Sequence, residues 1–141
     1  MPDVAFNDLP EAPALEAVED YVTDARVLLL DTVIPYRYDD GSLLVSLNTM
    51  LQQMRRLRPD LFVYTGDDLP AYTAVDDTVV PLEKQFRLAL VYGMTSHALA
   101  RDQEDVQDAR ATSFMGLFET MLLGLRSPPV QGGGMKKGGQ G

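Results

Sequence analysis

Apolar and polar positions follow the period of an α-helix along most of this chain. Pro35 and Pro59 bound the clearest case, because a proline ring disfavours helical geometry in the residue before it. Between them, Asp39 or Asp40 is suited to cap a helix start. Apolar side chains then recur at spacings of three and four, the pattern of one buried face. We predict a helix over 40–58 whose buried face contains Leu43, Leu44, Leu47, Met50, Leu51, Met54 and Leu57.

Two similar stripes predict helices over residues 15–32 and 103–125. Pro35 follows the first stripe closely, so the first two helices are expected to be antiparallel neighbours. Asp102 is a suitable cap for the later helix, which has Glu104 and Asp105 near its start. The first stripe consists of Leu15, Val18, Val22, Ala25 and Leu29, widened by Leu28 and Leu30, and the later one of Val106, Ala109, Phe114, Leu117, Phe118, Met121, Leu122 and Leu125.

A further helix is predicted from Pro81 to about residue 100, since proline suits the first position of a helix. Its large apolar face is accompanied by a strip of small residues, Ala89, Gly93 and Ser96. A glycine inside a helix costs about 1 kcal/mol relative to alanine, and a close helix–helix approach would offset that cost. This helix is therefore expected to be central and packed on two sides. The large face contains Leu82, Phe86, Leu90, Val91, Met94 and Ala98.

The remaining segments are less regular. Residues 59–80 contain two β-prone runs around a Gly/Asp turn, which predicts an extended loop or a small hairpin. This segment either projects as an arm or folds against the helices. Prolines and acids indicate an N-terminal arm over 1–14, and glycines indicate a flexible tail over 126–141. The fold class expected is all-α: one antiparallel four-helix bundle over 15–125, with flexible termini.

Charge and composition exclude several classes of function. The formal net charge is −9, and the chain has no cysteine, so disulfides and thiolate metal sites are excluded. An acidic chain is poorly suited to tight, nonspecific DNA binding, although DNA could slide past an acidic surface. Neither a transmembrane segment nor a signal peptide is predicted. The acidity is concentrated at the N-terminal end, since residues 1–24 contain seven acidic residues and no Lys or Arg.

No arrangement of residues points to catalysis. His97 is the single histidine, and a lone histidine within a helix is more often a packed side chain than a ligand or base. Acidic pairs occur at 39–40, 67–68 and 76–77, where local backbone bonding explains aspartate. A metal-dependent nuclease would need such carboxylates to converge. Neither enzymatic activity, nor a cofactor, nor a metal is expected.

Aromatic and basic residues are the better candidates for a site, here a protein interface. Tyr and Arg are enriched at interface hot spots. The alternative is that the two tyrosines of 36–38 close one end of the bundle while Arg37 pairs with a local carboxylate. The arginines of 55–58 either complement their helix end or meet the acidic N-terminal region of a neighbouring subunit. The candidates are Tyr36, Arg37, Tyr38, Arg55, Arg56 and Arg58, with Phe62, Tyr64 and Tyr72 in the irregular segment.

Three stretches of the sequence resemble a known family. They are DTVIPYRYDDGSLLVSLNTMLQQMRRLRPDLF at 31–62, PAYTAVDD at 70–77 and RDQEDVQDARATSFMGLFETMLLGL at 101–125. They resemble the head-to-tail adaptor proteins of tailed bacteriophages, also called head-completion or connector proteins, and specifically those of short-tailed phages. The resemblance covers roughly residues 20–125. Its motifs are structural and contain no catalytic signature.

The resemblance implies a structural virion protein, made in the bacterial cytoplasm and located at the neck between head and tail. By family analogy, twelve copies would form a ring beneath the portal protein, extend the DNA channel and dock tail tube or nozzle proteins. The DNA would pass without sequence-specific binding. The C-terminal tail would enter the portal, with Val130 and Met135 as anchors and Lys136 and Lys137 meeting acidic portal surface. The alternative is a small acidic helical protein-binding module or regulator, monomeric or dimeric and not part of a ring.

Overall fold

The computed structural model describes residues 15–65, 69–102 and 105–124. This part of the chain is mostly helical, with four α-helices and one small two-stranded sheet. No helix within these ranges is both long and apolar enough to cross a membrane. The elements are β1 (Leu15–Ala17), α1 (Val18–Leu29), α2 (Asp40–Leu57), a 3-10 segment (Pro59–Thr65), β2 (Val79–Glu83), a 3-10 turn (Lys84–Phe86), α3 (Arg87–Ala100) and α4 (Asp105–Gly124).

Helix α2 confirms the clearest prediction from the sequence. Asp39 caps it, because its side chain accepts a hydrogen bond of 2.7 Å from the backbone amide of Ser42. Every apolar residue of the predicted face is buried except Leu57, which is half-buried. The helix ends at Leu57. Arg58 is the residue before Pro59, whose ring disfavours helical geometry there. Periodicity and two flanking prolines are thus sufficient to locate this element.

The predicted first helix is wrong at both ends. Residues 15–17 form β1 rather than a helical turn, and Ala17 is extended with φ −90° and ψ 162°. The side chain of Asp20 then accepts from the amide of Ala17 at 3.1 Å, which closes the start of α1. At the other end α1 stops at Leu29, and Leu30 is exposed instead of widening the buried face. Between these ends, the predicted stripe from Val18 to Leu29 is buried except for Leu28, which is half-buried.

The described residues of 59–80 form no hairpin among themselves, which leaves the extended loop of the two predicted alternatives, and the predicted helix start at Pro81 is wrong. Pro81 lies inside β2, which pairs antiparallel with β1 at the N-terminal end of the described chain. The register joins Leu15 to Glu83 and Ala17 to Val79, with an irregularity between them. A proline is tolerated there because each strand of a two-stranded sheet has an unpaired edge. Helix α3 consequently begins only at Arg87.

The described part of the 59–80 segment lies against the helices. Asn48 of α2 donates from Nδ2 to the carbonyl of Tyr72, and its Oδ1 accepts from the amide of Tyr72, both at 2.9 Å. The Tyr72 side chain is buried, and so is that of Phe62. Between the two alternatives for this segment, the structure therefore supports a loop folded onto the domain instead of a projecting arm.

Helix α3 is central, as the small-residue strip predicts. It packs against α1, α2 and α4. Gly93 sits where two of these neighbours approach: a Cβ added there would lie 2.9 Å from Cε of Met50 in α2 and 2.9 Å from Cδ1 of Phe118 in α4. Real Cβ atoms do not come so close to other side chains. The glycine therefore permits a contact that any larger residue would obstruct.

The buried face of α4 differs in part from the predicted stripe. Phe118 and Leu122 are buried as expected, and the backbone carbonyl of Ala111 accepts from the Ser96 hydroxyl at 2.7 Å. Ala109 and Leu117, in contrast, are exposed. At about 100° per residue they lie at least a quarter turn away from Phe118. The side chain of Val106 and residue 125 lie outside the described part.

Ser46 and His97 form a polar contact between α2 and α3. The hydroxyl of Ser46 is fully buried and lies 2.9 Å from Nδ1 of His97. In the neutral imidazole, Nδ1 can accept a hydrogen bond from this hydroxyl. Burial lowers the pKa of His97, and the nearby Arg101 guanidinium lowers it further. The environment therefore favours the neutral form of His97.

We expect the protein to lose stability as the pH falls through the range in which an unfolded histidine titrates, about 6.5. Because the pKa of His97 is lower in the folded state, the unfolded chain binds the proton first and stability rises with pH. His97→Gln should flatten this dependence, since the chain has no other histidine. Urea unfolding at pH 7.5 and 5.5 measures both slopes. Equal slopes in the two proteins would refute the assignment.

Candidate interaction surface

The loop that joins α1 to α2, residues 30–39, begins with an unusual backbone conformation. Leu30 is in the left-handed region, with φ 60° and ψ 39°. Its amide donates to the carbonyl of Val27 at 3.1 Å, and the amide of Asp31 donates to that of Arg26 at 2.9 Å. Glycine or asparagine usually fills such a position, because other residues lose about 1–2 kcal/mol there. The sequence nevertheless places leucine at this point.

Arg26 anchors the loop from the last turn of α1. Arg26 is only 6% exposed, and its guanidinium donates to Oδ2 of Asp31 at 3.0 Å and to the carbonyl of Tyr38 at 2.7 Å. Its second terminal nitrogen donates to Oδ1 of Asp40 at 2.8 Å. The Tyr36 ring lies 3.7 Å from the guanidinium carbon, a cation–π distance. One buried side chain thus fixes both ends of the loop.

Asp31 completes this arrangement. It is 6% exposed and accepts three hydrogen bonds: from Arg26, from the amide of Arg37 at 2.7 Å and from the amide of Tyr38 at 2.9 Å. Buried charges require such partners, because desolvation of an unpaired carboxylate is costly. The loop is therefore held closed by an internal ion pair that also satisfies its backbone.

Neither Arg26 nor Asp31 is among the residues predicted from the sequence, although the pattern contains a signal for Arg26. Val22, Ala25, Arg26 and Leu29 follow the spacing of a buried helical face, so an arginine occupied a core position. A buried arginine demands a carboxylate, and Asp31 is the next acidic residue in the chain. The candidates Tyr36 and Tyr38 lie beside this pair.

The far side of the loop is attached to the end of α3. Arg37 Nη2 donates to Oδ1 of Asp102 at 2.8 Å, and the Tyr38 hydroxyl donates to Oδ2 at 2.5 Å. Burial, with the hydrogen bond to Asp102, raises the pKa of Tyr38 to about 12. The same hydrogen bonds from Arg37 and Tyr38 lower the pKa of Asp102. Arg37 thus pairs with a carboxylate, one of the two alternatives, but the carboxylate is distant in the sequence.

Between these attachments the loop presents apolar side chains to solvent. Leu30 is 82% exposed, Val33 76% and Ile34 75%, and we call these three residues the apolar tip. Tyr36 and Val27 are also largely exposed nearby in the sequence. Single exposed apolar residues are ordinary, whereas several in one short loop are typical of a contact site. The tip is held by the buried Arg26–Asp31 pair.

A second candidate surface lies at the opposite end of α2. A shallow groove of about 680 Å³ is lined by Thr49, Gln52, Gln53, Arg55, Arg56 and Pro59, and we call it the basic groove. Arg58 does not belong to it. It donates twice to Asp60, at 2.9 and 2.8 Å, and to the carbonyl of Leu122 at 2.6 Å. The Asp60 hydrogen bonds raise the pKa of Arg58, which joins the 3-10 segment to α4.

The other predicted interface residues fall into two groups. Phe62 and Tyr72 are 3% and 7% exposed and belong to the core, so their prediction as interface residues does not fit this structure. The Tyr72 hydroxyl donates within the chain, to the carbonyl of Val79 at 3.3 Å. Outside the described part lie the Tyr64 side chain and the tail candidates Val130, Met135, Lys136 and Lys137. Aromatic character alone did not distinguish packing from contact.

The acidic pairs have local functions where they are described. Asp39 caps α2, Asp40 binds Arg26, and Asp76 accepts from the amide of Thr78 at 2.9 Å. Hydrogen bonds from the side chain and then the amide of Thr78 lower the pKa of Asp76. Residues 67–68 lie outside the described ranges. Within those ranges, no group of three His, Cys, Asp or Glu side chains is placed to hold a metal ion.

Comparisons of this chain with models of protein families, with curated protein sequences and with solved structures found no match. Its function is therefore inferred from the two surfaces and from the motifs in its sequence. The apolar tip and the basic groove lie toward opposite ends of α2, near its start and its end respectively. Two separated surfaces of different chemistry are suited to binding different neighbours.

Proposed function

We propose that this chain is a structural head-to-tail adaptor of a tailed bacteriophage of the short-tailed type. In this proposal its helices form an antiparallel four-helix bundle, and twelve copies form a ring under the portal protein at the neck of the virion. The ring extends the DNA channel and docks tail tube or nozzle proteins. DNA passes through without sequence-specific binding, and neither a reaction nor a cofactor is involved.

The first support is the resemblance of the motifs to adaptor proteins. The longest motif, at 31–62, contains almost the whole 30–39 loop, helix α2 and the start of the 3-10 segment. The two proposed surfaces lie within or beside this motif. The residues that carry the resemblance are therefore the ones that build and support the candidate surfaces.

The observation that carries the proposal is the apolar tip. Leu30 adopts a backbone conformation in which leucine is disfavoured, and its side chain is 82% exposed. Glycine or asparagine at this position would make the fold more stable. Residues held in disfavoured backbone conformations are concentrated at functional sites. Contact with another protein accounts for both the conformation and the exposure.

A ring also requires two different complementary surfaces on each copy, because head-to-tail contacts are heterologous. The tip is apolar, and the basic groove presents Arg55 and Arg56. This separation supports a subunit with distinct neighbours. A monomeric or dimeric binding module would also expose a tip, but it would bind no portal ring.

We expect the double variant Leu30→Asn/Val33→Ser to lose binding to the portal ring of the same phage. Burying two such side chains contributes about 3 kcal/mol, which corresponds to roughly a hundredfold in affinity. Stability should stay constant or rise slightly, since asparagine tolerates the left-handed conformation. Native mass spectrometry of mixtures with intact portal rings measures the stoichiometry, and unfolding in urea measures the stability.

The matched control is Leu117→Gln, which removes an exposed leucine from α4 and leaves the 30–39 loop unchanged. The wild-type and control proteins should bind with one adaptor per portal subunit. If the wild-type chain stays monomeric with every intact portal ring, the adaptor proposal is wrong and a small partner-binding module becomes the better explanation. If the wild type and the double variant bind equally well, the tip is not the contact.

A further inference from the structure

The basic groove has the chemistry of a peptide-binding surface. Arg55 and Arg56 supply positive charge, and the side-chain amides of Gln52 and Gln53 can both donate and accept hydrogen bonds. Pro59 and the stems of the long side chains supply apolar surface. Arg56 is exposed. An extended acidic peptide with some apolar residues would complement this lining.

The structure brings the N-terminal end of the described chain near this groove. The first residue of β1, Leu15, is paired with Glu83 of β2. Glu83 shares a small cavity with Leu61, Leu82 and Phe86. Leu61 is in the 3-10 segment that packs against both β2 and α2, two residues after Pro59 of the groove. The polypeptide preceding Leu15 is therefore attached at the sheet that contacts the 3-10 segment, which begins at Pro59 of the groove.

Residues 1–14, which lie outside the described ranges, have the required composition. The sequence MPDVAFNDLPEAPA contains Asp3, Asp8 and Glu11 and no Lys or Arg. It also contains Val4, Phe6 and Leu9. Fully extended, these residues span about 46 Å at roughly 3.3 Å each, whereas α2 is only about 27 Å long. The segment can therefore reach any part of the groove of its own chain.

We propose that residues 1–14 bind the basic groove of the same chain. Charge complementarity supplies the specificity, and the attachment at Leu15 gives the segment a millimolar effective concentration without a second copy. The segment is thus a tethered occupant, and any partner that uses Arg55 and Arg56 must displace it. This inference does not depend on the adaptor proposal, because it concerns the isolated chain.

Because the protein has no cysteine, engineered pairs report contacts without background. The test variant carries Asn7→Cys in the segment and Gln53→Cys in the groove. The control carries Asn7→Cys and Thr32→Cys, since Thr32 is exposed in the 30–39 loop at the other end of α2. At low micromolar protein under mild oxidation, the test variant should form an intramolecular disulfide about tenfold faster than the control. Mobility on non-reducing gels and mass spectrometry identify the products.

Charge-reversal variants provide a second test of the proposal. Arg56→Glu in the test variant should lower the rate to that of the control pair, whereas Arg101→Glu, at the end of α3, should not change it. Equal rates for the test and control pairs would overturn the proposal. Predominantly intermolecular disulfides would overturn it as well, because they would place the segment on a neighbouring copy. All measurements use the full chain, and circular dichroism confirms that each variant is folded.

Discussion

Replacement of Arg26 by methionine is expected to lower the free energy of unfolding by about 3–5 kcal/mol. The substitution leaves Asp31 in place, 6% exposed and without its cation. It also removes the donors to the Tyr38 carbonyl and to Asp40. Methionine fills most of the volume, so the loss reports the uncompensated carboxylate and not a cavity. Equilibrium unfolding in urea at neutral pH measures it.

A double-mutant cycle separates the ion pair from the packing. Asp31→Asn keeps an oxygen that can accept from the amides of Arg37 or Tyr38 but removes the charge. Combined with Arg26→Met, it should restore part of the lost stability, because no buried charge then remains unpaired. Arg101→Met is the matched control, and its effect should stay within about 0.5 kcal/mol, as is usual at an exposed site. Strict additivity of the two single changes would show that Arg26 and Asp31 are not coupled.

Much of the helical structure was predictable because it is encoded locally. The buried face of α2 repeats over several turns and is bounded by prolines, so each residue supports the same interpretation. The small-residue strip of α3 likewise predicted a central helix, and Gly93 now explains it through its contacts with Met50 and Phe118. Periodicity is a reliable signal when many residues contribute to it.

The sheet was not predictable by the same means. Strand β1 has three residues, too few to show any period, and its partner β2 is far away in the sequence. Leu15 also fitted the stripe of the following helix, so local pattern favoured the wrong element. Pro81 was consistent with a helix start as well as with an edge strand. Only the pairing of Leu15 with Glu83 decides between these possibilities, and a single sequence does not contain it.

The candidate surface was predicted only in part, since the exposed apolar residues Leu30, Val33 and Ile34 were not among the predicted interface residues. Tyr36, Arg37 and Tyr38 lie together in the 30–39 loop, where Tyr36 is 41% exposed but Tyr38 is buried. Their supports come from elsewhere: Arg26 from the preceding helix and Asp102 from the end of α3. Phe62 and Tyr72 were also predicted to lie at the interface because they are aromatic, but both are core residues. Burial depends on tertiary contacts, and residue type alone does not reveal it.

A second large change in stability is expected at the contact between Gly93 and Phe118. Phe118 is fully buried, so Phe118→Ala should cost about 3–5 kcal/mol through lost burial and the cavity that remains. Gly93→Ala should cost about 1–3 kcal/mol, because the new methyl would lie 2.9 Å from ring carbon Cδ1. The gain of about 1 kcal/mol in helix propensity offsets only part of this strain.

Whether Gly93→Ala stabilises or destabilises the protein should therefore depend on the ring of Phe118. In a Phe118→Leu background the side chain is smaller, while Cε of Met50, at the end of a flexible side chain, can shift at little cost. Gly93→Ala should then be neutral or stabilising by up to about 1 kcal/mol. Urea unfolding of the four proteins in this cycle tests the expectation. An equal cost of Gly93→Ala in both backgrounds would contradict it and would place the obstruction at Met50, since the ring would then contribute nothing to the glycine requirement.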